Sequence, residues 1–263
     1  MNADWRNRYE LAVTVAKEAG QLALRYFDSV LTVEWKKDRS PVTVADREAE
    51  DLLRKRILGT FPSDGVLGEE FGDTPGTSGF RWIVDPIDGT RNYVRGIPLW
   101  GTLIGLEYRE EQIVGVADLP ALGQTFHALR GEGAFRDDRP IHVSKVSELS
   151  QAVMFYSSLS WFIKAGRQDV FLKLVNRVQR QRGFGDCYGF LLVAQGSGEL
   201  MVEHGVHVWD VAAIKPIVEE AGGRFSDWDG QPTIHRPDVL ASNGTLHNEV
   251  LGLLTLRKQG GTP

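Results

Sequence analysis

Apolar residues recur at helical spacing over residues 5–31 (Leu11, Val15, Ala19, Leu22, Tyr26), which predicts a long amphipathic helix. A short strand is expected over 32–35, then a polar, Pro-containing loop, KKDRSPVT, and a second helix over 44–60. Two apolar runs, GVLGEEF and RWIVD, read as strands that end in acidic residues. Over 100–135 the pattern changes to strands of five to eight residues separated by Gly, Asp or Glu turns, as in an antiparallel sheet. Gly131 to Gly133 and Asp137–Asp138 read as hairpin turns. The second half alternates. It predicts a strand over 153–156, helices over 169–180 and 188–196, and a strand over 200–203. A helix over 210–221, closed by Gly222–Gly223, a strand over 239–241 and a helix over 246–256 complete it, and the tail QGGTP reads as disordered.

This mixture of helices and strands in blocks predicts an α+β fold built in layers. No internal repeat or low-complexity linker interrupts it. The pattern changes near Ser147, giving an N-terminal half, 1–146, and a C-terminal half, 147–263, expected to form one tightly joined unit.

Composition narrows the function classes. The chain has 263 residues, 42% hydrophobic and 25% charged, enough to bury a large core. A formal net charge of −5 argues against a nucleic-acid surface or a polybasic membrane face. Cys187 is the only cysteine, so neither an intramolecular disulfide nor a cysteine cluster for zinc can form, which suits a reducing compartment. The N-terminus, MNADWRNRYE, lacks the pattern of a signal peptide, and no run approaches a membrane span. A soluble cytoplasmic protein is the expectation.

The run Asp85-Pro86-Ile87-Asp88-Gly89-Thr90 carries the most chemistry. An apolar strand delivers Asp85, Pro86 bends the chain, and Asp88 follows three residues later. Two carboxylates across a tight turn suit hard cations, which prefer oxygen ligands. The N–H groups of Gly89 and Thr90 would open a helix, where a phosphate is favoured. The bland alternative is an Asp-rich surface turn with Asp88 as a helix cap. Glu69, after Gly68, and Asp210, after Trp209, have equally bland readings as a turn residue and a cap. Four carboxylates, each at a strand end or a helix start, favour the metal reading.

The runs GEEFG, WIVDPIDGTRNYVRGIP and WDVAAIKPIVEEAGG resemble the signature motifs of the inositol monophosphatase superfamily, in order along nearly the whole chain. That resemblance implies a magnesium-dependent, lithium-sensitive phosphatase with a layered αβαβα fold, forming a homodimer and acting on a small phosphorylated metabolite. It implies that Glu69, Asp85, Asp88 and Asp210, with the Ile87 carbonyl, hold Mg2+. It also implies that Thr90 and Asp46 form the pair that activates water, and that the Gly89 and Thr90 N–H groups hold phosphate oxygens. Asp46 ends PVTVAD; without the resemblance it would be a first-turn carboxylate complementing the helix dipole. The loop KKDRSPVT could place Lys37 or Asp38 near a third, weaker metal, or be a solvated surface loop.

Finer runs, SDGVLGEEFG, DPIDGTRNYVRGIPLW, SSLS and GFGDCYGFLLVAQG, look most like the histidinol-phosphatase branch. Its substrate, L-histidinol phosphate, carries an ammonium and an imidazole, for which carboxylates are suitable partners. Asp186 and Cys187, in the Gly-Asp-Cys run, and Glu203, seven residues before Asp210, are the expected contacts to the non-phosphate part. Asp186 has an equal reading as the cap of a helix beginning at Cys187. An inositol or general sugar-phosphate phosphatase is the alternative, then a 3′-phosphoadenosine 5′-phosphate phosphatase. His204 and His207 lack the partners of a zinc site, and the serines at 157, 158 and 160 lack a nucleophile elbow. A catalytically dead relative would lack a metal ligand or the Thr–Asp pair; all six residues are present.

Overall fold

A computed structural model describes residues 3–29, 33–35 and 41–255. Helix α1 (Ala3–Tyr26) ends short of the predicted boundary, because Asp28 takes a left-handed φ of 60° that turns the chain away. Among the described residues the predicted strand near 32–35 is reduced to β1 (Glu34–Trp35), which pairs antiparallel with β2 (Pro41–Val42). Helix α2 (Val44–Thr60) opens on a capping box. The Thr43 hydroxyl accepts from Ala45 N–H at 3.1 Å, and the Asp46 carboxylate accepts from Thr43 N–H at 2.7 Å.

The first large sheet comprises β3 (Gly65–Gly68), β4 (Gly72–Thr74) and β5 (Phe80–Asp88), followed by the short helix α3 (Thr90–Tyr93). It continues with β6 (Gly101–Tyr108), β7 (Glu111–Leu119), β8 (Gln124–Leu129), β9 (Ala134–Arg136) and β10 (Arg139–Ile141). The strand order is β10-β9-β8-β7-β6-β5-β3-β4, with only β3 and β5 parallel. The second half supplies β11 (Val153–Phe155), α4 (Leu159–Lys164), α5 (Gln168–Val175), β12 (Arg180–Arg182), α6 (Asp186–Ala194) and β13 (Leu200–His204). After these come α7 (Val208–Val211), α8 (Ile214–Glu220), β14 (Arg224–Ser226), β15 (Asp238–Ser242) and α9 (His247–Leu254). Its sheet has the order β12-β11-β13-β15-β14. The two large sheets therefore fall on either side of residue 146.

Strand side chains alternate between faces, so β5 sends Trp82 and Val84 to one core and Ile83 to another. On the first side, Ala12, Val15 and Ala19 of α1 and Leu53 and Ile57 of α2 cover Trp82, Val84 and Ile104. On the other, Phe190 of α6, Val211 of α7 and Ile217 of α8 lie between Ile83 and Leu103 of the first sheet and Met201 and Val239 of the second. Phe162 of α4, Phe171 of α5 and Val250 of α9 close the far face over Met154 and Leu240. These are the α, β, α, β, α layers that the resemblance implies. Among the described residues no helix is long and apolar enough to cross a membrane.

Further elements differ from the sequence reading. The helix expected over 169–180 stops at Val175, and Arg180–Arg182 is an edge strand instead. Helix α4 and strand β14 were not signalled by periodicity, each being too short to show one. The helix expected over 210–221 is two helices, α7 and α8, broken at Ala212–Ala213. Pro216 has no N–H to give the Ala212 carbonyl, which favours the break. The broken segment lies on Gly105 and Gly115, which are cross-strand partners in β6 and β7. A Cβ on Gly105 would stand 2.7 Å from Ala212, and one on Gly115 would stand 2.0 Å from the Ala213 carbonyl. Only glycine lets the segment approach the sheet this closely.

Candidate active site

In a regular strand, residues three apart face opposite sides. The β5–β6 register shifts between Asp85, opposite Leu103, and Asp88, opposite Gly101, so one extra residue sits on β5. That bulge brings both carboxylates to one side. Ile87 N–H donates to Asp85 Oδ1 at 3.0 Å, and Thr102 Oγ donates to the Pro86 carbonyl at 2.8 Å, which fixes the bulged segment. Gly89, at φ 84°, then turns the chain into α3, whose first residue is Thr90.

Asp210 arrives from α7, held over the sheet by the Gly105–Gly115 approach. Its carboxylate accepts from His207 N–H at 2.8 Å, and the His207 and Trp209 rings stack with centroids 5.1 Å apart. One oxygen from each of Asp85, Asp88 and Asp210 lies within 4.8 Å of the others. They border a cavity of about 230 Å³ whose wall also includes Glu69, Gly89, Thr90, Arg91, Asp186 and Trp209.

This concentration of acid is electrostatically costly for the bare chain. Burial, then the charges of Glu69, Asp88 and Asp210, push Asp85 well above the usual carboxylate range. Burial and the charges of Asp186 and Asp210 do the same to Asp88, opposed by the hydrogen bond from Cys187. Asp186 is pushed up to about 6 by burial and Asp210, with Arg91 acting against the rise. The ligand atoms gathered here are carboxylate oxygens, beside the Ile87 carbonyl, a set that suits a hard divalent cation. Such a cation would relieve the repulsion that raises these groups.

The other expected site residues take distinct places. Glu69 lies in the β3–β4 turn and in the cavity wall. Thr90 Oγ donates to the Ile87 carbonyl at 3.0 Å. Asp46 is buried in the first turn of α2, accepts from the Thr43 hydroxyl at 2.7 Å, and its charge reaches Asp85. Asp186 does not cap α6, where Gly185 is the N-cap without a side-chain bond; instead its Oδ2 accepts from Asn92 Nδ2 at 3.0 Å. Cys187 stands behind Asp88 rather than in the cavity wall. Its thiol is buried, and its N–H donates to Asp88 Oδ2 at 2.6 Å. Glu203 is likewise outside the wall, and its carboxylate accepts from Ser157 N–H at 2.9 Å, Ser157 Oγ at 2.7 Å and His204 N–H at 3.0 Å. Burial pushes Glu203 up to about 7. Asp38 and Lys37 lie outside the described residues.

Glu50 is a residue that sequence reasoning missed. Its buried carboxylate accepts from Glu70 N–H at 2.7 Å and Phe71 N–H at 3.1 Å, so α2 holds the turn that presents Glu69. Gly68 makes room for it, since a Cβ there would stand 2.0 Å from Glu50 Oε1. The spacing of Gly68 ahead of two acids was the available signal, but the partner on α2 was not.

The sequence pattern of the inositol monophosphatase family matches residues 4–259. The chain belongs to this family. The histidinol-phosphatase of Streptomyces coelicolor is 44% identical over 264 residues, covering 97% of this chain and 99% of its own. That of Mycobacterium tuberculosis is 43% identical, covering 92% and 95%. Among solved structures, the extragenic suppressor protein suhB of Bartonella henselae superposes with a TM-score of 0.89 at 30% identity, covering 94% of this chain and 98% of that one. Within the family, this chain is a phosphoric monoester hydrolase of the layered α+β fold.

Proposed function

We propose that the enzyme hydrolyses L-histidinol phosphate to L-histidinol and phosphate, with Mg2+ held by Glu69, Asp85, Asp88, Asp210 and the Ile87 carbonyl. The observation that carries the substrate reading is Asp186: a carboxylate in the cavity wall beside, but outside, the three clustered aspartates. It suits an ammonium on the leaving group, which it would hold as a charge-assisted pair on both sides, stronger than the bonds it would accept from the hydroxyls of an inositol. The names of the relatives point the same way.

When bound, magnesium supplies positive charge for the phosphate and lowers the pKa of an attacking water. The chain does the rest. The Gly89 and Thr90 N–H groups hold phosphate oxygens at the opening of α3. Thr90 Oγ accepts a hydrogen bond from the attacking water and relays a proton towards Asp46, turning from the Ile87 carbonyl to do so. Asp186, in the cavity wall with Arg91 countering the rise that burial and Asp210 impose, receives the substrate ammonium. The two halves, 1–146 and 147–263, work as one unit, the first giving Asp85 and Asp88 and the second Asp186 and Asp210. The reading extends to a cytoplasmic homodimer inhibited by lithium, which competes for a magnesium position.

Phosphate release with magnesium is to be measured on histidinol phosphate, inositol 1-phosphate, 3′-phosphoadenosine 5′-phosphate and fructose 1,6-bisphosphate. The expected result is a preference for histidinol phosphate of about a hundredfold in kcat/KM, the scale of one or two well-placed polar contacts. Comparable rates on inositol 1-phosphate would overturn the substrate while keeping the metal chemistry. Turnover unchanged in high lithium would remove the lithium reading.

A further inference from the structure

Asp186 has an unusual backbone for a residue that is not glycine. It sits at φ 53°, in the left-handed region, at the first position of α6. For a non-glycine residue this region carries a steric cost that glycine avoids. If the turn into α6 were the only need, glycine would meet it without strain. The carboxylate itself is therefore the feature to be explained.

Contacts on both flanks define where that carboxylate stands. Asn92 Nδ2 donates one hydrogen to the Leu99 carbonyl at 2.9 Å and another to Asp186 Oδ2 at 3.0 Å. The first bond folds the 92–99 loop onto itself and so fixes the amide that makes the second. Gly89 offers no side chain on the other flank, where a Cβ would meet Asp186 Oδ2 at 3.2 Å. The next residue, Cys187, gives its N–H to Asp88 at 2.6 Å, so the start of α6 cannot shift freely. Oδ2 is thus pinned, while Oδ1 receives no hydrogen bond among the described residues and Asp186 forms part of the cavity wall.

We infer that Asn92 is a positioning residue that sets the Asp186 carboxylate, with its second oxygen turned to the cationic part of the substrate. The inference rests on the histidinol phosphate reading and adds the residue that makes Asp186 selective. An amide is required at position 92, because both acceptors need a donated hydrogen and a carboxylate there would supply none.

The test compares KM and kcat of Asn92→Ala for histidinol phosphate and for p-nitrophenyl phosphate, which has no ammonium. Both are measured with Asp186 present and in an Asp186→Asn background. Expected is a rise in KM for histidinol phosphate of about tenfold, the scale of one lost hydrogen bond to a charged group. Its kcat should stay within about threefold, and KM for p-nitrophenyl phosphate within about twofold. In the Asp186→Asn background, Asn92→Ala should change KM by less than about twofold, since residues acting through one contact are not additive. Equal losses on both esters, or full additivity in the double variant, would overturn the inference and make Asn92 a plain support of the metal loop. Wild-type enzyme without a preference for histidinol phosphate would overturn both the substrate reading and this one. A wild-type preference left undiminished by Asn92→Ala would overturn this one alone. Asn92→Ser serves the same comparison should Asn92→Ala fail to fold.

Discussion

Asp64 and Asp85 are equally buried, each 2% exposed, and their surroundings are opposite. Burial pushes Asp64 up, yet donors from Arg8, Ser78 and Trp82 outweigh it and leave the carboxyl below its usual range. Arg8 reaches Asp64 through Nε at 2.8 Å and Nη2 at 3.0 Å, and its guanidinium lies 4.1 Å from the Phe61 ring and 3.7 Å from the Phe80 ring. Ser78 Oγ and Trp82 Nε1 complete the shell at 2.6 and 2.9 Å. Asp85 instead accepts from Ile87 N–H and faces Glu69, Asp88 and Asp210. Burial of an acid therefore says little by itself. A structural carboxylate is completed by the chain, whereas a working one is left for a cation and a substrate to complete.

Replacing one acid from each region sharpens that contrast. Asp88→Asn should lower kcat by more than about a thousandfold, as loss of a metal-binding and charge-stabilising group does. Its melting temperature should hold or rise, because one like charge leaves the cluster. A variant keeping a tenth of the wild-type rate would sink the assignment. Asp64→Ala should do the reverse. It strands a buried guanidinium and should cost about 3–5 kcal/mol in denaturant unfolding, with the rate per folded molecule retained.

Asp118 lies between these cases and should give the smallest effect. It is 5% exposed, its Oδ1 accepts from Thr125 Oγ at 2.7 Å, and its Oδ2 faces Gly20 of α1 without a donor among the described residues. Burial pushes it up to about 6 from 3.8, with Thr125 and Lys17 opposing. The folded state therefore keeps this proton to higher pH than the unfolded state does. Its contribution to stability falls as pH rises from about 4 to about 6, and the full penalty remains above that. Asp118→Asn should accordingly gain stability at pH 8, by about 3 kcal/mol at most, and far less near pH 4. Melts of the two proteins at both pH values decide it: an equal gain at both would contradict the buried-carboxylate account.

Legibility in the sequence followed the range of the interaction. Asp85, Ile87, Asp88, Gly89 and Thr90 lie in one six-residue run, and Asp210 begins a recognisable second one, so both could be read locally. The stripe on α1 was readable because 3.6-residue periodicity accumulates over a long helix. Pro216 was a local signal for the break between α7 and α8, but the seat of that segment was not legible, since it depends on two glycines about a hundred residues upstream that admit it to the sheet. Glu50 and Asn92 were hidden for the same reason, their partners lying 20 and 94 residues away. The hold of Ser157 on the Glu203 carboxylate was equally hidden, the two lying 46 residues apart. Arg180–Arg182 has no apolar alternation, and only pairing with β11 makes it a strand.

The bond from Cys187 N–H to Asp88 spans 99 residues of chain, and Asp210 joins the same cluster from still further along. Closing loops of that length carries an entropic cost that nearby contacts must meet first. A chain emerging from the ribosome would therefore display Asp85 and Asp88 long before the third carboxylate exists. On the proposed reading, the ligand set for the cation is complete only once both sheets have met, so an unfinished chain would hold neither the full site nor its activity.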